Sequence, residues 1–144
     1  MTESMRRVLI VEDGTEYRDA FRRLSPEGAG GSVEWLHASD AAAARRLLAD
    51  REVDAIFLDV VFDRTPPENL VGDGDRKRLA ARQGFHIAAA LAPEIPRGVP
   101  VLLAYDFTDD PARLTALRQG IPTLEGVEEG EPASRLVERL LGKS

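Results

Sequence analysis

The sequence predicts an α/β fold, a doubly wound sheet of five parallel strands with helices on both faces. Five short apolar runs alternate along the 144 residues with segments in which apolar residues recur every three or four positions, the spacing of a helix buried on one face. Four of these runs are apolar without alternation, which is typical of strands covered on both faces. Right-handed crossovers then favour one parallel sheet, for which we predict the strand order 2-1-3-4-5.

The five apolar runs define the predicted strands. We place them at residues 7–12, 32–38, 54–59, 99–105 and 120–125. The second run differs from the others because it alternates, with Trp35 and His37 on one side and Leu36 on the other. This alternation favours a position at the edge of the sheet.

The helices are predicted between the strands and after the last one. An apolar stripe marks the first helix at Tyr17, Ala20, Phe21 and Leu24, and the last at Ala133, Leu136, Val137, Leu140 and Leu141. The second helix is expected to begin after Ser39 as its cap. Residues 84–92 are apolar nearly all round, and the next helix opens with Asp110 as cap and Pro111 in its first turn.

Composition limits the classes of function. A chain of this length with 43% hydrophobic residues fits one compact domain, residues 1–144. A formal charge of −6 disfavours nucleic acid and anionic membranes as partners. The sequence has no cysteine, and no segment has the apolar length of a signal peptide or a membrane span, so we expect a cytoplasmic protein.

A polar segment interrupts the regular alternation. Residues 62–83, between the third strand and the third helix, are rich in proline, glycine and charge, and they form an insertion. Loops of this length in compact domains are commonly functional or disordered. The two histidines, His37 and His86, lack a second ligand in their local sequence, and we interpret them as packing residues.

Two predicted strands end in carboxylates. Glu12 and Asp13 follow the first strand, and Asp59 ends the third. Alone, Asp13 with Gly14 is typical of a turn, and Asp59 of a helix cap. With this strand order, however, the first and third strands flank the crevice beyond the carboxyl edge, so the three carboxylates converge. Their repulsion favours a bound cation, and we predict a Mg²⁺ site in which an aspartate can attack phosphorus.

These stretches resemble the receiver domain of two-component response regulators, a CheY-like domain with a flavodoxin-like fold. In this chain, the stretch "RRVLIVEDGTEYRDAFRRL" resembles the first strand, acidic pair and first helix of the family. The stretch "ASDAAAARRLLADREVDAIFLDV" resembles the second helix and third strand. The stretch "VPVLLAYD" resembles the family's fourth strand, and "LRQGIPTLE" resembles the helix and glycine before its fifth strand. The resemblance implies that Glu12 and Asp13 bind the metal and that Asp59 is the phosphoacceptor.

The chain departs from the family at two positions. The resemblance implies a threonine or serine at the end of the fourth strand, where this chain has Tyr105, or Ala104 if the alignment slips by one. It also implies a lysine after the fifth strand, where this chain has Gly126 or Val127. If the insertion folds over the site, Arg76, Lys77 or Arg78 can replace that lysine; the alternative is a solvated loop or a basic start to the third helix.

The resemblance implies an atypical receiver that signals in a phosphorelay and is not an enzyme. It takes a phosphoryl group from a histidine kinase or phosphotransfer protein and acts through a downstream protein partner or as a homodimer. One helix follows the last strand, so we expect a stand-alone receiver. The alternative is a pseudo-receiver that binds partners without phosphorylation. A hydrolase or nucleotide-binding enzyme on the same fold is a third option. It is disfavoured because Val61 stands where a phosphatase needs its acid and no glycine-rich phosphate loop follows the first strand.

Overall fold

A computed structural model describes residues 5–25 and 33–142, which form one sheet of five parallel strands in the order β2-β1-β3-β4-β5. The predicted fold class and strand order are therefore confirmed, with the second strand at an edge. The strands are β1 (Arg6–Val11), β2 (Val33–Ala38), β3 (Ala55–Leu58), β4 (Val101–Leu103) and β5 (Leu124–Glu125). Residue 32, the predicted start of the second strand, lies outside the described residues.

Six helices pack around this sheet in the described part of the chain. They are α1 (Glu16–Leu24), α2 (Ala41–Asp50), α3 (Arg76–Ala81), α4 (Gln83–Leu91), α5 (Pro111–Gly120) and α6 (Ala133–Leu141). Short 3-10 turns lie at Pro67–Asn69 and Ala92–Glu94. None of these helices, taken over the residues that are described, combines the length and apolarity that crossing a membrane requires.

The core lies on both faces of the sheet, which explains the unbroken apolar runs. The four residues from Val8 to Val11 are fully buried, and they point alternately into two apolar clusters. One cluster contains Leu9, Val11 and Leu58 with α2 and α4, and the other contains Val8, Ile10 and Phe57 with α1 and α6. Because each face of the sheet carries a layer of helices, the consecutive positions Val8 to Val11 can all be apolar.

Prolines shorten the last two strands relative to the prediction. Pro100 has no N–H to donate to the ladder, and β4 begins at Val101. Pro122 follows the end of α5, where the N–H of Ile121 still bonds to the carbonyl of Leu117, so β5 begins only at Leu124. The predicted starts at 99 and 120 were too early for this reason. The predicted end at 105 was too late because the N–H of Tyr105 bonds back to the carbonyl of Leu103 at 2.7 Å.

Two local predictions were wrong. The cap of α2 is Asp40 and not Ser39, because Asp40 Oδ1 accepts from the N–H of Ala43 at 2.8 Å. Leu24, placed on the inward stripe of α1, is the last residue of that helix and is 50% exposed. The side chain of Glu131, in the acidic run at 125–131, is only 2% exposed and pairs with Arg139.

The insertion is folded against the domain. Phe62 is fully buried, and its N–H donates to the carbonyl of Ala80 at 2.7 Å. The buried side-chain amide of Gln83 forms two hydrogen bonds with the backbone of Val71. It accepts from the Val71 N–H at 2.8 Å and donates to the Val71 carbonyl at 3.0 Å. With helix α3 inside it, the segment is an ordered part of the molecule.

The start of α4 lies directly against the exit of β3. The N–H of Gly84 donates to the carbonyl of Val60 at 2.9 Å. A Cβ at Gly84 would collide with the carbonyl oxygen of Asp59 and would lie 2.7 Å from the Cα of Val60. Only glycine fits this close approach of two backbones, and it sets the position of Asp59 relative to the helix.

Strand β5 is the second edge of the sheet, and arginine side chains cover its end. Arg118 Nε donates to the carbonyl of Leu124 at 2.8 Å, and Arg139 Nη2 donates to the carbonyl of Gly126 at 2.9 Å. Arg139 also pairs with Glu131 at 2.8 Å, which ties the loop after β5 to α6.

Candidate functional site

The predicted carboxylates lie at the carboxyl ends of two neighbouring strands. Strand β1 ends at Val11, so Glu12 and Asp13 follow it directly, and β3 ends at Leu58, so Asp59 follows it. The two strands pair at these ends, and the N–H of Asp59 donates to the carbonyl of Val11 at 2.9 Å. The backbone therefore holds all three acidic residues at one edge of the sheet.

Glu12 is buried and is turned toward helix α1. Its carboxylate oxygens accept from the N–H groups of Tyr17 at 3.1 Å and Arg18 at 3.0 Å, in the first turn of the helix. Unsatisfied N–H groups and the helix dipole favour a negative charge at this position. Glu12 is therefore satisfied by the protein itself, although it is only 1% exposed.

His37 is a neighbour of Glu12 that the sequence reading missed. Its Nε2 lies 2.7 Å from the carbonyl oxygen of Gly14 and 3.6 Å from Glu12 Oε2. The interaction with Glu12 raises the pKa of His37 above its usual value, against the opposing effect of partial burial. The available signal was its position near the carboxyl end of β2, beside β1.

Asp59 carries one hydrogen bond and one free oxygen. Its Oδ1 accepts from the N–H of Val60 at 2.9 Å, and no donor in residues 5–25 or 33–142 bonds to its other oxygen. Burial raises the pKa of Asp59 to about 6, and the negative charges of Glu12, Asp13 and Glu16 add to that rise. The carboxylate is thus mostly ionised at pH 7 but poorly stabilised, a condition that favours reaction with an electrophile or binding of a cation.

Asp13 is held by the first turn of the insertion. Its Oδ2 accepts from the backbone N–H of Arg64 at 2.7 Å, and the hydroxyl of Thr65 lies 3.5 Å from the same oxygen. The guanidinium of Arg64 pairs with Glu16 at 2.6 Å. The insertion therefore reaches the acidic site through Arg64, a contact that the sequence reading did not anticipate.

The candidate substitutes for the missing lysine lie elsewhere in the insertion. Arg76, Lys77 and Arg78 are exposed at the start of α3. Within the described part of the chain, none of the three forms an ion pair with a carboxylate. A role for them at Asp59 stays a prediction.

Tyr105, the altered position after β4, is fixed by aromatic packing. Its ring meets Phe85 and Phe107 edge-on, with centroids 4.9 and 4.8 Å apart, and its hydroxyl donates to Asp110 Oδ2 at 3.1 Å. Gly126 lies close by, since a Cβ there would collide with the Phe107 ring and the Tyr105 carbonyl. The phenol is thus engaged with the start of α5 and not with Asp59.

The acidic residues at this edge are not arranged as a metal site of three carboxylates. In the described ranges no group of three or more histidine, cysteine or acidic side chains is arranged to hold a metal ion. Glu12 explains this, because both of its oxygens face the N–H groups of α1. Asp13 and Asp59 remain, and Mg²⁺ commonly takes one or two carboxylates with water in its other positions.

The molecule has the fold of the receiver domains of response regulators. The receiver domain of NtrX from Brucella abortus matches 95% of this chain and 99% of its own, with 21% identity and a TM-score of 0.59. CheY4 from Vibrio cholerae matches 98% of this chain and 100% of its own, with 19% identity and a TM-score of 0.62. A longer NtrX structure in complex with ADP matches at 20% identity and a TM-score of 0.61, and this chain covers 27% of it.

These likenesses are structural. No family model and no curated protein matches the sequence. At 19–21% identity the solved structures establish the shared fold, and the chemistry of the site has to be argued from its own residues.

Proposed function

We propose that this chain is a receiver domain that accepts a phosphoryl group on Asp59 in a phosphorelay. The observation that carries the proposal is the state of Asp59: a carboxylate at the carboxyl edge of the receiver fold, beside Glu12 and Asp13, with its pKa raised to about 6 and one oxygen without a donor in the described structure. The donor is a histidine kinase or phosphotransfer protein, and the output is contact with a downstream protein, in the cytoplasm.

The chemistry assigns one role to each oxygen of Asp59. The oxygen without a hydrogen bond attacks phosphorus, and a new O–P bond forms. The bond between phosphorus and the donor breaks, and the donor leaves with the electron pair of that bond. The N–H of Val60, 2.9 Å from Oδ1, keeps the carboxyl group oriented during the transfer. The product is an acyl phosphate on the protein, so the domain is modified and is not an enzyme in the usual sense.

Asp13 and Asp59 are the residues that would hold magnesium, with Glu12 fixing the start of α1 behind them. The bound ion would supply positive charge to the phosphoryl oxygens and relieve the repulsion among the carboxylates. The chain's own contribution is to bring two carboxylates to adjacent strand ends and to keep them there through the β1–β3 ladder.

Two further assignments belong to this proposal. Tyr105 stands where the resemblance implies threonine or serine, and its hydroxyl donates to Asp110 at the start of α5. Arg76, Lys77 and Arg78 are candidates to neutralise the phosphoryl group. Replacing all three with alanine should slow phosphorylation of Asp59, and an unchanged rate would remove them from the site.

The test is intact-mass measurement after incubation with Mg²⁺ and acetyl phosphate. Wild-type protein should gain one phosphoryl group, Asp59→Asn should gain none, and Asp73→Asn should behave as wild type because Asp73 is an exposed residue of the insertion. Loss of the label in hydroxylamine would identify an acyl phosphate. Absence of the mass gain in folded wild-type protein would refute the proposal.

A second candidate is a pseudo-receiver that binds partners without phosphorylation. The observation that favours it is the engagement of the acidic pair: Glu12 bonds to α1, and Asp13 bonds to Arg64. In that case neither Mg²⁺ nor acetyl phosphate should change the mass, and Asp59→Asn should leave partner binding intact. The same experiment thus separates the two candidates.

A further inference from the structure

A short segment of the insertion lies on the acidic end of the site. We call residues 63–65 the strap. Its Arg64 contacts the acidic turn twice, through the backbone N–H to Asp13 Oδ2 at 2.7 Å and through the guanidinium to Glu16 Oε2 at 2.6 Å. Arg64 therefore brings one positive charge and one N–H donor to carboxylates that otherwise repel one another, while the side chain of Asp63, next to it in the strap, is negative.

Gly14 makes room for the strap. A Cβ at Gly14 would collide with Arg64 Nη1 and with Glu16 Oε1, and it would lie 3.1 Å from Arg64 Cζ. The arginine can lie across the turn between Asp13 and Glu16 because that turn has no side chain at residue 14. A methyl group at this position would displace the ion pair without changing any charge.

The strap can leave Asp13 without unfolding the insertion. Buried Phe62 anchors it on one side, and the bonds between Gln83 and Val71 hold the insertion further on. The strap's own ion pair is open to water, with the side chains of Arg64 and Glu16 60% and 65% exposed. The contact of the strap with Asp13 is a single backbone hydrogen bond, also at an exposed position. Exposed ion pairs and single hydrogen bonds contribute little, so a competitor for Asp13 has little to overcome.

We propose that the strap is an internal counter-ion that competes with a divalent cation for Asp13. In the described structure the strap occupies Asp13 and Glu16, and binding of a divalent cation to Asp13 and Asp59 releases it. The reason is electrostatic and geometric: the guanidinium of Arg64 repels a second cation, and the N–H of Arg64 occupies one lone pair of Asp13 Oδ2. The proposal rests on the cation site of the proposed function and adds a segment that reports whether that site is filled.

The first test is hydrogen exchange of the Arg64 amide in wild-type protein with and without Mg²⁺. Release of the strap removes the carboxylate acceptor of this amide, so exchange should become faster at saturating Mg²⁺. The amide of Ile121, bonded to the carbonyl of Leu117 at the end of α5, is the internal reference and should exchange at the same rate in both states. Unchanged or slower exchange of Arg64 would mean that the strap stays in place, and the proposal would fail.

The second test measures Mn²⁺ affinity from the signal of free Mn²⁺ in electron paramagnetic resonance. Arg64→Gln removes the charge, and Gly14→Ala displaces the ion pair with no change of charge. Both should bind Mn²⁺ more tightly, by about two- to fivefold given the weakness of an exposed pair. Arg97→Gln removes an exposed arginine in the loop before β4 and should bind as wild type. Equal or weaker binding by both site variants would overturn the proposal, as would no binding by any variant.

The outcome is separable from that of the proposed function. If Mn²⁺ displaces the strap but acetyl phosphate adds no mass, the strap proposal stands and phosphorylation of Asp59 fails. If the mass increases but the Arg64 amide and the Mn²⁺ affinities do not respond as expected, phosphorylation stands and the strap proposal fails.

Discussion

Replacing Asp59 with asparagine should stabilise the protein at neutral pH. The pKa of Asp59 is raised from 3.8 to about 6, mainly by burial. An acid whose pKa is higher in the folded state favours unfolding once it ionises. The difference of about two units corresponds to about 3 kcal/mol at 1.36 kcal/mol per unit, and about 2 kcal/mol is a reasonable expectation after allowing for partial solvent contact. Asparagine keeps an oxygen that can accept from Val60.

The sign of the effect fixes its pH dependence. Below about pH 3.8 the carboxyl is protonated in both states, so Asp59→Asn and wild type should be equally stable. The gap should open between pH 4 and pH 6 and reach its full value at about pH 7. Urea unfolding at several pH values, in the presence of a chelator, can be followed by fluorescence of Trp35, which is buried and is the only tryptophan.

The control is Asp73→Asn, which removes an exposed carboxylate of the insertion and should shift stability by less than about 0.5 kcal/mol. An Asp59→Asn variant that is no more stable than wild type at pH 7, or a gap that does not close on acidification, would refute the reasoning. The first result would mean that the negative charge of Asp59 is better stabilised than its surroundings indicate, and the second that the stability difference does not come from ionisation of Asp59.

Three further predictions concern stability, each measured by the same urea unfolding. Gly84→Ala should lower the free energy of unfolding by about 1–3 kcal/mol because the new Cβ would meet the backbone of Asp59 and Val60. The control Gly120→Ala, whose Cβ would meet the Ala92 side chain at 3.2 Å, should change stability little. Equal effects of the two substitutions would contradict the close approach at Gly84. Phe57→Ala should cost about 3–5 kcal/mol because Phe57 is fully buried against Tyr17 and Phe21; a loss below 1 kcal/mol would argue against that packing. Burial alone would raise the pKa of Glu131, but hydrogen bonds from the Glu128 N–H and from Arg139 lower that pKa overall. Glu131→Gln should therefore be less stable than wild type by about 1–2 kcal/mol at pH 7 and equally stable once the pH falls well below about 4. A stability difference that stays constant with pH would exclude the charge of Glu131 as its cause.

The fold could be predicted because strand and helix patterns are local. An apolar run such as residues 8–11 carries its burial in the sequence, and the alternation with helices leaves few topologies for a parallel sheet. The starts of β4 and β5 were less well predicted, because Pro100 and Pro122 lie just before them and have no N–H for the sheet.

The site could be predicted only in its backbone positions. Glu12, Asp13 and Asp59 follow strand ends, so the sheet places them together. Their orientations depend on tertiary contacts that no local pattern contains: the α1 amides bond to Glu12, and Arg64 bonds to Asp13 across 51 residues. Whether the insertion folds over the site was left open by the sequence, and the contact that forms is made by Arg64, which follows the turn after buried Phe62.

The arginine cover at the β5 edge restricts how copies of this chain can associate. A strand added beside β5 would find only the two residues Leu124–Glu125 to pair with, and it would compete with Arg118 for the carbonyl of Leu124 and with Arg139 for that of Gly126. Short edges with charged side chains resist strand addition. Self-association of this chain would therefore use its helical faces or the β2 edge, and a growing sheet of many copies is blocked at β5.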